Sequence, residues 1–157
     1  MNSERKDLQK DTSLLSPNVF LTFVMHNEDG SNPGQPDYLN DSTIYYKYRQ
    51  LVKRLAGMIR ANKAALNLQS DWNFLLAVAK YDNKGVMTST ANKNIIQWLH
   101  ENVGIEMDPH THEKRYNYAD VAYLINQLDV MPTQTVGGFD HTESRWQELV
   151  GGINGSK

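Results

Sequence analysis

The sequence predicts an α/β domain built from parallel βα units, and three observations predict it. Short apolar runs alternate with longer stretches whose apolar residues recur every three or four positions. Each apolar run gives way to polar and turn-forming residues, as happens where a strand leaves a sheet. The chain has 157 residues, 39% hydrophobic and 22% charged, which fits one globular domain with its own core. A polar, charged tail over residues 1–17 precedes that single domain, which occupies residues 18–157.

Val19 to Met25 (VFLTFVM) is continuous, β-branched and aromatic, and too short for a helix, so it reads as a buried parallel strand. His26-Asn27-Glu28-Asp29-Gly30 ends it, and a loop rich in Asn, Pro and Gly runs on to Asp41. Asp41 or Ser42 caps a helix in which Ile44, Tyr48, Leu51, Val52, Leu55, Met58 and Ile59 form one apolar face. Ala64 to Gln69 is a second strand. Ser70 or Asp71 then caps a helix over about Trp72 to Tyr81, with Phe74, Leu75, Val78 and Tyr81 turned inward. Asp82 to Gly85 reads as a turn, and Ile95, Ile96, Leu99 and Val103 mark a helix ending near Asn102.

Gly104 to Asp108 is a third strand, followed by a helix carrying Val121, Tyr123, Leu124, Ile125 and Leu128. Thr133 to Val136 reads as a fourth strand stopped by Gly137-Gly138, and Thr142 to Val150 as a last helix. Four βα units fall short of the ~200 residues of a complete (β/α) barrel. The expectation is therefore the N-terminal portion of a longer barrel, with an independent open sheet as the alternative. Either arrangement leaves a sheet edge through which copies of the chain could self-associate.

Bulk properties narrow the function. A formal net charge of −2 offers no basic field for nucleic acid or for acidic membranes. No apolar run approaches the roughly 20 residues of a membrane span, and the polar start has no signal-peptide core. Compartment stays open: cytoplasmic by default, exported if a leader has been trimmed. With no cysteine, disulfides, thiolate nucleophiles and cysteine–zinc sites are all excluded, so any metal must be held by His, Asp and Glu.

In parallel α/β folds, reactive groups gather at the carboxyl ends of the strands. Here His26, Glu28 and Asp29 follow the first strand, Asp71 the second, and Asp108, His110, His112 and Glu113 the third. In an extended segment, residues two apart point the same way, so Asp108, His110 and His112 can present three donors on one face. His26 is a further donor from the first strand. The plainer alternative is a pair of loop histidines satisfied by backbone carbonyls, and the clustering at a strand end favours metal. Zinc suits such donors first, with manganese, iron, nickel or cobalt as alternatives. His100 and His141 read as solvent-exposed. Trp72, Trp98, Trp146, Tyr45, Tyr46 and Tyr48 read as packing residues. Gly137-Gly138 is either a turn or a place where backbone approaches a ligand.

Gly104-Ile-Glu-Met-Asp-Pro-His-Thr-His112 resembles the second motif of the polysaccharide deacetylases, and Val19 to Gly30 resembles their first. The two occur in the family's order, and the resemblance covers roughly Val19 to Phe139. Two positions differ. Val24-Met25-His26-Asn27-Glu28-Asp29 stands where the family has Asp-Asp after Thr-Phe. Lys114 occupies the place of the family's second histidine, with His112 two residues after His110. The resemblance implies a deformed (β/α) barrel and a metal-dependent hydrolase acting on an acetylated carbohydrate or other small molecule. His110 and His112, with His26 or an acid from the first strand, would hold the ion. Asp29, Glu28 or Asp108 would take the proton of the attacking water. Asp108-Pro-His-Thr-His112 also looks like the Asp-x-His-x-His motif of amidohydrolases and histidinol-phosphatase-like phosphoesterases. A third expectation is a non-catalytic carbohydrate-binding or structural domain with a broken metal site.

Overall fold

The computed structural model describes residues 19–28, 34–110, 116–138 and 142–144. Three strands, β1 (Thr22–Asn27), β2 (Ala65–Ser70) and β3 (Glu106–Pro109), form one sheet in the order β1-β2-β3. Both pairings are parallel, Thr22 to Asn27 lying opposite Ala65 to Ser70, and Asn67 to Ser70 opposite Glu106 to Pro109. Helix α1 (Ser42–Ala61) joins β1 to β2. Helices α2 (Trp72–Tyr81), α3 (Lys84–Met87) and α4 (Ile95–Trp98) lie between β2 and β3, and α4 runs on as a π-helical turn over Leu99–Val103. Helix α5 (Tyr118–Gln127) follows β3. The first and third strands predicted from sequence are thus parallel members of one sheet.

The helix starts follow the predicted capping chemistry. The Asp41 carboxylate accepts from the backbone N–H groups of Thr43 and Ile44, and the Asp71 carboxylate from that of Phe74. Asn117 and Asp120 form a reciprocal capping box at the start of α5. At the far end of the π turn, Gly104 adopts a φ of +83°, which a residue with a Cβ resists.

The sheet has two unlike faces. Met25, Leu66, Leu68, Ile105 and Met107 join the apolar core with the inward faces of the helices. The opposite face carries Thr22, Val24, His26, Asn67, Gln69, Glu106 and Asp108, and none of these joins that core. Parallel sheets are ordinarily covered on both faces.

Several expectations are corrected. β1 is not buried. It pairs only with β2 among the described residues, and Val19 and Phe20 before it are 89% and 88% exposed. The buried face of α1 runs through Tyr45, Arg49, Val52, Ala56 and Ile59, leaving Ile44, Leu51 and Met58 exposed. The helix is turned because Arg49 pairs with Asp82 at 2.8 Å, both side chains fully buried. The expected turn at Asp82 to Gly85 instead starts α3, whose first N–H groups bond the Asn83 side chain. The expected fourth strand is a single bridge between His110 and Gly137, supported by Thr133 N–H to Met107 O (3.0 Å) and Gly137 N–H to Pro109 O (2.9 Å). Most of the predicted helix Thr142 to Val150 lies outside the described residues. No helix among the described residues is long and apolar enough to cross a membrane.

Candidate metal centre

The centre is assembled where the three strands run out. Side chains alternate along a strand, so His26 and Glu28 project to one side and Asn27 to the other. Asn27 is buried and fixes this end from beneath. Its amide donates to Ser70 Oγ (3.3 Å), its side-chain oxygen accepts from the Tyr48 hydroxyl, and its backbone carbonyl accepts from Asp71 N–H (3.2 Å). Burial pushes the Tyr48 phenol up to about 12 and raises Tyr38 beside it, so both remain protonated donors at neutral pH. Glu28 is half-buried and accepts from Gln35 Nε2 at 3.1 Å.

His110 follows β3 directly, and its backbone N–H still donates to Ser70 O at 3.0 Å. Its side chain is turned in, 1% exposed, and its ring centroid lies 4.6 Å from that of His26 at an interplanar angle of 50°. Strands two places apart in a flat sheet are separated by about 10 Å. The two imidazoles therefore reach across β2, over the polar face.

His26, Glu28 and His110 each offer one donor atom, and these atoms all lie within 4.8 Å of one another. Around a tetrahedral ion with ligand bonds of ~2.0–2.2 Å, donors stand roughly 3.3–3.6 Å apart. The donors need to close by up to about an ångström, a movement open to the exposed His26 and the half-buried Glu28 rather than to the buried His110. Two imidazoles and a carboxylate suit zinc, and manganese, iron, nickel or cobalt less selectively.

The other predicted site residues have different positions. Asp108 points to the same side as His110 but stands outside the three-donor group. Its Oδ2 accepts from Asn67 Nδ2 (2.8 Å) and its Oδ1 from the Thr133 hydroxyl. Asp29 and His112 lie outside the described residues. His100 is exposed on the π turn, with Nδ1 3.1 Å from Ile105 O. Trp72 is buried and stacks on Tyr116, in keeping with a packing role.

Three contributors escape a reading of the sequence by type. Asn27 and Gln35 are ordinary polar residues until the fold brings partners to them. Gly138 had a visible signal, the Gly-Gly pair, but not its target, which is the His110 ring. No protein-family model, curated protein or solved structure matches the chain.

Proposed function

We propose that the chain is a metal-dependent hydrolase of the polysaccharide-deacetylase type, acting on acetylated carbohydrate. The observation that carries this reading is the convergence of His26, Glu28 and His110 at the carboxyl ends of two parallel strands.

In this reading the imidazoles of His26 and His110 would hold the ion, with His112 expected from the sequence as a further donor. A bound divalent ion would supply Lewis acidity toward an acyl oxygen and a water. Glu28, oriented by Gln35, either completes the donor set or takes the proton of the attacking water.

Elemental analysis after zinc loading tests the reading. The parent protein should retain about one ion per chain, and the His26→Ala/His110→Ala variant should lose it while keeping its far-UV circular dichroism. The loaded parent should release acetate from acetylated sugars and leave phosphate esters intact. A parent that retains no metal, or a double variant that retains it equally, removes the basis of the proposal.

A further inference from the structure

We propose that Gly138 is a positioning residue of this centre, its backbone closing on the His110 imidazole and holding that ring toward His26 and Glu28. The proposal rests on the metal-hydrolase reading of the same site. A Cβ placed on Gly138 would lie 2.4 Å from His110 Cε1, 2.7 Å from Nε2 and 2.8 Å from Nδ1. Such separations are far inside van der Waals contact, so no residue with a side chain fits unless the ring moves. The ring has little room to move. It is 1% exposed, and the His26 ring packs against it at 4.6 Å.

A turn alone does not explain this glycine. Gly138 has a φ of +67°, but Gly34 and Gly104 have φ of +89° and +83° with nothing within 4 Å of a built Cβ. Those two glycines meet a backbone demand only. Gly138 meets a backbone demand and a steric one, and the steric one is directed at an imidazole of the centre. The approach is fixed by the ladder before it, since Gly137 N–H donates to Pro109 O at 2.9 Å and Gly137 bridges His110. Gly137 also has a close neighbour, with its built Cβ 2.0 Å from Gln69 Oε1. That contact is the tip of a flexible, half-buried side chain and can swing away, whereas the His110 ring is buried, packed against His26, and moves only at the expense of its place beside the other donors.

Replacing Gly138 should therefore push the His110 ring out of register with the other two donors. Residues that orient a metal ligand without touching the ion typically change affinity by about 10–100-fold when altered. The test compares Gly138→Ala with Gly104→Ala, which carries the same positive-φ strain and meets no neighbour. Two readouts are taken: zinc affinity by competition with a chromophoric chelator, and the imidazole nitrogen and carbon signals of His110 by NMR in metal-free protein. Gly138→Ala should weaken zinc binding by about 10–100-fold and shift the His110 ring signals, while Gly104→Ala alters neither. Unshifted ring signals in Gly138→Ala, or equal shifts in Gly104→Ala, overturn the proposal. If Gly138→Ala does not fold, His110→Ala/Gly138→Ala decides. Recovery of the melting temperature of His110→Ala alone supports the steric contact, and failure to recover overturns it. A parent that binds no zinc overturns the metal reading, while the ring signals still decide whether Gly138 sets the orientation of His110.

Discussion

Asp108 and His110 stand two residues apart on one side of the same strand end, and their surroundings give them different work. His110 joins donors from β1, whereas Asp108 spends both carboxylate oxygens on Asn67 and Thr133. This ties β2, β3 and the segment after α5 together. Asp108 in this geometry is a tether more than a ligand. Asp108→Asn keeps an acceptor for one partner and should cost about 1 kcal/mol, since the Thr133 hydroxyl can reverse its role. Asp108→Ala leaves two half-buried groups without their acceptor and should cost more, about 1–3 kcal/mol. Urea unfolding of the two variants checks this ordering, and zinc stoichiometry should be unchanged in Asp108→Asn. Loss of zinc from that variant would return Asp108 to the ligand set.

At the scale of elements, α1 is set by a buried ion pair. Arg49 Nε meets Asp82 Oδ1 at 2.8 Å, and the guanidinium also donates to Ser89 Oγ (3.3 Å) and Thr90 Oγ1 (2.9 Å). Asp82 accepts in addition from the Tyr45 hydroxyl (2.5 Å) and from Ile95 N–H (2.7 Å). One carboxylate thus joins α1, the end of α2 and the start of α4. Burial first, then the Asp82 charge, raises the Tyr45 phenol above its ordinary value, so this hydroxyl stays a donor. Breaking a buried pair by removing one partner typically costs about 3–5 kcal/mol. Arg49→Met should lower stability by that much in denaturant titration, and Arg49→Met/Asp82→Asn should recover part of it. A loss below 1 kcal/mol in the single variant would mean that the pair does not hold α1 in place.

The whole molecule presents an unfinished sheet among the described residues. Val19, Phe20, Leu21, Phe23 and Val24 are exposed along β1 and the residues before it, and β1 has a strand partner on one side only. An apolar strand with an open ladder is a template for another chain. The protein is accordingly expected to self-associate as concentration rises through the micromolar range. Val24→Lys places a charge on that edge and should shift light-scattering mass toward the monomer without altering the melting temperature. A monodisperse monomer of the parent across that range would mean that the edge is covered.

What the sequence by itself determined is local. The caps at Asp41 and Asp71 are written in short-range chemistry, the side chain and the N–H it accepts from lying two or three residues apart. The bounds of α2 follow from the same kind of signal, and the parallel order of β1 and β3 follows from the helices that intervene. The residue types suited to metal binding were legible too, because His26 and the Asp108-Pro-His110 run sit at strand ends. Only the tertiary structure decided which donors meet. His26 and His110 are far apart in sequence, and their 4.6 Å contact depends on the order and register of three strands. It also decided that Arg49 turns inward, since its partner Asp82 belongs to another element. The edge position of β1 was hidden for a like reason. A continuous apolar run specifies that both faces can be buried, but a neighbouring strand, which the run cannot supply, decides whether they are.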